Sequence, residues 1–180
     1  MKFNNELKKK IELKHVEKMI EQLLDLTNYM TDARVARRKG LGGTAEFFTP
    51  YSIVKRMCDK IPDDDWSDPT KTFLEPSFGS GQFVVYIVWN RIQHGIDWQT
   101  ALKTLYGVEL MADNVLECHD RVIDLLTKLG IEFDEQTARK IMKKNLVCSD
   151  FFKWDFEHWR PIKEKPKKSK NTQTKQHKNF

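Results

Sequence analysis

From Asn5 to about Lys39 the apolar residues Ile11, Val16, Met19, Ile20, Leu23, Leu24 and Leu26 recur mainly at three- and four-residue intervals. That is the period of an amphipathic helix, and it fits one long helix or two shorter ones. Gly40, Gly42 and Gly43 interrupt the pattern. In the following AEFFTPYSIVKRMCDKI, Pro50 at a helix start and Ile53, Val54 and Met57 predict a short helix. Asp63, Asp64, Asp65 and Pro69 read as a loop. KTFLEPS then predicts a short buried strand ending at Pro76, and FGSG a glycine turn. The apolar QFVVYIVWNRIQ follows as a helix stopped by Gly95. DWQTALKTL reads as a helix capped by Asp97, LYGVEL as a second strand, and ADNVLECHDRVIDLLTKL as a helix ended by Gly130. A helix around EQTARKIMKK leads into NLVCSD, the third strand. Strands alternating with helices predict a parallel α/β sheet with helices on both faces.

The pattern divides the chain into an N-terminal helical region, residues 1–39, an α/β domain, residues 40–160, and a tail, residues 161–180. With 39% hydrophobic residues, the 180-residue chain has apolar material for one core. No run reaches the roughly 18 to 20 apolar residues of a membrane span. The N-terminus lacks the apolar block of a signal peptide, so a cytoplasmic location without membrane contact is expected.

Charge changes this picture only at the end of the chain. The segment from Lys163 to Phe180 holds seven lysines and one glutamate, which accounts for the whole formal net charge of +5. Having almost no apolar residues, it is expected to be disordered. It serves either solubility or salt-sensitive attraction to phosphate backbones. Arg34, Arg37, Arg38 and Lys39 are either a solvated helix end or a second phosphate contact. Cys58, Cys118 and Cys148 fit neither a disulfide framework nor a zinc spacing. Cys118-His119-Asp120 contains an HD pair without a second His/Asp cluster.

In open parallel sheets a ligand binds beyond the C-terminal ends of the strands. Strand one is followed there by Glu75-Pro76-Ser77-Phe78-Gly79-Ser80-Gly81, in which Gly79 and Gly81 remove side chains where a ligand could approach the backbone. Strand two ends in Glu109, an acid suited to accept from two ribose hydroxyls. Strand three ends in Ser149-Asp150-Phe151, an acceptor for an exocyclic amine and a face for stacking. Nicotinamide binding would require GxGxxG, and Val84 holds the third glycine position.

The stretch from about Ala45 to Phe156 resembles the γ-type arrangement of adenine-N6 DNA methyltransferases, including modification subunits of restriction systems. AEFFTP resembles the family's amino-terminal cofactor motif, LEPSFGSGQF its glycine motif, YGVEL its ribose-binding acid and SDFF its adenine-binding turn. Glutamine methyltransferases acting on proteins share much of this pattern. The resemblance implies a Rossmann-like fold reduced to its S-adenosylmethionine-binding half. It implies that Phe48 and Thr49 help hold the methionine carboxylate and that Glu75, Gly79 and Gly81 surround the methionine amino end. Glu109 would bind the ribose hydroxyls, Leu110 pack on the adenine, Asp150 accept from its amine and Phe151 stack on the ring. Glu75 departs from the commoner Asp.

Family catalysis uses an Asn/Asp/Ser-Pro-Pro-aromatic loop that orients the target amine and stacks on the flipped base. After SDFFKWDF the chain reads EHWRPIKEKPKKSK, without such a tetrapeptide and without a predicted fourth strand. The expected function is therefore adenine methylation of DNA with a partner, either a second copy or a separately encoded catalytic or specificity subunit. A catalytically silent cofactor-binding or regulatory module and a glutamine methyltransferase are the alternatives. The first strand is expected to lie at an unpaired edge that a partner or the N-terminal helix covers.

Overall fold

The computed structural model describes residues 14–24 and 49–163. The basic cluster at 34–39, the glycines at 40–43, Phe48 and residues 164–180 lie outside that range. Residues 14–24 form helix α1. There follow α2 (Tyr51–Cys58), α3 (Asp63–Ser67), β1 (Phe73–Glu75), α4 (Gln82–Gln93), α5 (Trp98–Lys103), β2 (Leu105–Glu109), α6 (Ala112–Lys128), α7 (Glu135–Asn145) and β3 (Leu146–Cys148). A 3-10 turn (Phe151–Lys153) leads into a two-stranded hairpin, β4 (Trp154–Asp155) and β5 (Arg160–Pro161).

The main sheet is parallel in the order β1-β2-β3. The chain is thus a small α/β domain, a three-stranded parallel sheet packed against several helices. Register places Phe73 beside Leu105 and Gly107 beside Leu146, so these residues share one face. Leu105 and Leu146 are buried there in a single core with Val84, Val88, Val122 and Leu125 of the helices. Ile20, Leu23 and Leu24 of α1 belong to the same core. Helix α4 is buried on nearly every side, as its almost uninterrupted apolar sequence requires.

The other face carries the hairpin where a second helical layer was expected. Leu74 and Tyr106 lie side by side on it, Trp159 meets the Tyr106 ring edge-on, and Leu74 is 52% exposed. Handedness explains the difference. The crossovers from β1 to β2 and from β2 to β3 step in the same direction, so right-handed connections bring both sets of helices to the same side.

Two local expectations are corrected. Asp63–Asp65 open helix α3 rather than a loop, because Trp66 is buried stacked on Phe73 and the acids complement the helix N-terminus. The segment after Asp150, expected to hold no strand, folds back as the hairpin, whose turn is held by Asp155 accepting from the His158 N–H. That hairpin is separate from the main sheet, and β1 remains at the edge, paired only with β2 among the described residues. No helix among these residues is long and apolar enough to cross a membrane.

Candidate functional site

The parallel register aligns the C-terminal ends of the strands, and the turns leaving them converge. A cavity of about 450 Å³ lies there, lined by Pro76 and Ser77 after β1, Val108 and Leu110 at the end of β2, and Ser149, Asp150, Phe151 and Phe152 after β3. The volume is within the range of small-molecule pockets, roughly 300 to 1,000 Å³. The lining is mostly apolar, with one carboxylate. Leu110, Phe151 and Phe152 all project as exposed apolar groups, Phe152 at 85%. Phe151 meets Phe152 edge-on and also touches Phe156.

Asp150 is held by its own turn. Its Oδ1 accepts from the Phe152 N–H at 3.0 Å and Lys153 stands 4.0 Å from Oδ2. The carboxylate caps the 3-10 turn, and Asp150 also lines the cavity.

Glu109 behaves differently. It is only 6% exposed, and it is not among the residues lining the cavity. Its Oε2 accepts from the Gly79 N–H and its Oε1 from the Met111 N–H, each at 2.9 Å, with the Asn114 amide 3.4 Å from Oε1. The carboxylate is turned toward α6 and the glycine turn, and its present work is to join β2 to that turn. Asn114 had no part in the sequence reading, although a buried amide in the first turn of an amphipathic helix was a visible signal.

The two glycines of the turn have separate reasons. Gly79 (φ +54°) has open space where a Cβ would stand, which leaves room for a ligand against the backbone. Gly81 (φ +92°) precedes α4, and a Cβ there would lie 2.5 Å from the Cys118 sulfur. Gly81 serves the close approach of α4 to α6.

Glu75 accepts a long bond from the Ser77 N–H, 3.3 Å, and burial pushes its carboxyl above the ordinary range. Thr49 is half-buried just before Pro50 and α2 and is not among the residues lining the cavity. Phe48 lies outside the described residues. The structure therefore brings Leu110, Asp150 and Phe151 together, ties Gly79 to Glu109 just behind them, and sets Glu75, Gly81 and Thr49 outside the lining.

Arg121 is a residue that sequence reasoning missed. It is buried in α6, its Nη1 donating to the Ser80 carbonyl at 2.6 Å and its Nη2 to the Leu23 carbonyl at 2.8 Å. The glycine turn and α1 are thereby fastened to one side chain. The available signal was an arginine one place before Val122 in an apolar stripe. Cys118, His119 and Asp120 point in three directions, under Gly81, to the Leu146 carbonyl and to Arg139. Compared with protein-family models, with curated proteins and with solved structures, the chain matches none.

Proposed function

We propose that this chain is an S-adenosylmethionine-binding domain of the DNA adenine-N6 methyltransferase type, with a Rossmann-like sheet reduced to the cofactor half. One observation carries the reading: the turns after three adjacent parallel strands converge on one cavity, and Leu110, Asp150 and Phe151 all border it. In this reading the adenine lies between Leu110 and Phe151, with its amine donating to Asp150. The Gly79 backbone leaves the open approach for the rest of the cofactor. The ribose hydroxyls reach Glu109 through lone pairs left after its two backbone donors, or by displacing the Gly79 N–H.

The cofactor supplies an electrophilic methyl group. The residues of this chain bind and orient it, and methyl transfer to adenine in DNA requires in addition a catalytic loop and target recognition that these 180 residues do not carry. A second reading is a catalytically silent cofactor-binding or regulatory module. It is favoured by residues 151–163, which form a 3-10 turn and a hairpin and contain no Asn/Asp/Ser-Pro-Pro-aromatic tetrapeptide.

Isothermal calorimetry with S-adenosylmethionine on the full chain tests the site. Saturable binding is expected, weakened at least about tenfold by Asp150→Ala, which removes a charge-assisted acceptor. No binding at millimolar cofactor would end the proposal. Mass spectrometry of DNA for N6-methyladenine separates the two readings, since the first requires product once a partner is added and the second none.

A further inference from the structure

A second apolar recess lies away from the strand ends. It encloses about 290 Å³ and is lined by Thr72, Phe73 and Leu74 of the β1 region, Tyr106 of β2, and Phe156, Glu157 and Trp159 of the hairpin turn. Its wall is one side of an open sheet edge. The register that sends the Phe73 N–H to the Thr104 carbonyl turns the Leu74 N–H and C=O outward, where no strand pairs among the described residues. Leu74 is half exposed in the middle of this strand, beside the Tyr106 and Trp159 rings, which meet at 4.8 Å. An unpaired backbone row beside a side-chain pocket is the arrangement by which sheet edges take up an extended peptide.

Charge selects the occupant. Lys71, just before the strand, is engaged by Asp65 at 2.9 Å. The recess itself carries one charge, the carboxylate of exposed Glu157, since Glu75 lies in register with Gly107 on the opposite face of the strand. A second copy pairing through β1 would offer the Glu157 carboxylate only Lys71, already engaged by Asp65. The Lys-rich end of this chain has the right charge but almost no apolar side chains to fill the recess.

We propose that the β1 edge binds an extended segment of a different protein, basic and apolar, which adds a strand beside Leu74 and seats one aromatic side chain against Tyr106 and Trp159, with a lysine or arginine facing Glu157. This surface stands on the sheet edge alone and does not rest on the cofactor reading.

The probe is a fluorescein-labelled peptide, Lys-Thr-Val-Phe-Val-Thr-Lys, titrated with the full chain by anisotropy. It is compared with Glu-Thr-Val-Phe-Val-Thr-Glu and with Lys-Thr-Pro-Phe-Pro-Thr-Lys, whose prolines cannot complete a ladder. The basic peptide should bind about fivefold more tightly than the acidic one, as expected of exposed charge pairs, and the proline peptide should not bind. Glu157→Lys lies at an exposed position, so folding is not at issue, and it should reverse the charge preference. Benzoylphenylalanine in place of the peptide's phenylalanine should cross-link to the Tyr106–Trp159 region. Absence of saturable binding, equal binding of all three peptides, or cross-linking elsewhere would overturn the proposal. So would sedimentation showing a dimer that Leu74→Arg dissolves, because a second copy would then be the occupant.

Discussion

Gly79 and Glu109 are joined across 30 residues of sequence by a 2.9 Å hydrogen bond from the Gly79 N–H to the Glu109 carboxylate. The residue expected to receive a ligand is thus also a strut, holding the glycine turn to the end of β2. Glu109→Ala would leave the part-buried Gly79 and Met111 N–H groups without their acceptor. A stability loss of about 3 kcal/mol is expected in urea denaturation even without ligand. Glu109→Gln, which keeps one carbonyl acceptor, should lose roughly half as much. Wild-type stability in both variants would remove the strut role.

The two glycines of the turn should respond differently to alanine. At Gly81 a methyl would meet the Cys118 sulfur at 2.5 Å in a backbone conformation that L residues rarely adopt. Clash and strain together should cost about 3 kcal/mol or more. At Gly79 only the backbone cost applies, about 1 kcal/mol. Adding Cys118→Ala should recover part of the Gly81→Ala loss and none of the Gly79→Ala loss. If cofactor binding is measured on the same proteins, Gly79→Ala should weaken it despite its milder effect on folding.

The contrast between these glycines shows what the sequence could and could not say. The element order was legible because strands and helices differ in period and because Asp97, Gly95 and Gly130 mark helix boundaries locally. Asp97, for example, accepts from the Thr100 N–H as a cap should. The convergence of Leu110, Asp150 and Phe151 was legible too, since parallel strands align their exits. Which glycine faces open space and which faces a neighbouring helix depends on Cys118, 37 positions after Gly81 in the chain. No local pattern carries that. The same holds for Glu109, whose carboxylate direction is set by donors on two other segments, and for Asp63–Asp65, where burial of Trp66 on Phe73 overrode a turn-like composition.

Burial raises the Glu75 carboxyl above its ordinary value. A carboxyl raised on folding favours the protonated native state, so its contribution to stability is present at low pH and is lost as pH rises from the unfolded value through the folded one. Glu75→Gln should therefore stabilise the protein at pH 7 and change little near pH 4, in parallel melts at the two values. Stabilisation at pH 4 alone would contradict the sign. The same variant should bind S-adenosylmethionine more weakly if Glu75 faces the methionine amino group.

His119 is buried in α6, and burial lowers its affinity for a proton. The unfolded chain then takes up the proton first. Stability should fall as pH drops below the unfolded histidine value of about 6.5, levelling once the folded ring also titrates. His119→Gln should flatten the melting temperature between pH 7 and pH 5 relative to the wild type. An unchanged slope would assign that dependence to other groups.

Arg121 yields the sharpest mechanical prediction, because its guanidinium holds two segments distant in sequence. One nitrogen donates to the Ser80 carbonyl in the glycine turn and the other to the Leu23 carbonyl of α1. Arg121→Met preserves length and apolar stem while removing the donors, and the carbonyls it leaves should cost about 1 to 3 kcal/mol. The loss should not be uniform. Amide hydrogen exchange should accelerate most in residues 14–24 and in the turn around Ser80, with β2 and β3 following only the global change. Cofactor affinity should fall with it, since the turn that flanks Gly79 loses its anchor on α6. Exchange that rises equally everywhere would reduce Arg121 to general core stability, and unchanged exchange in residues 14–24 would mean that Ile20, Leu23 and Leu24 hold α1 by apolar packing alone.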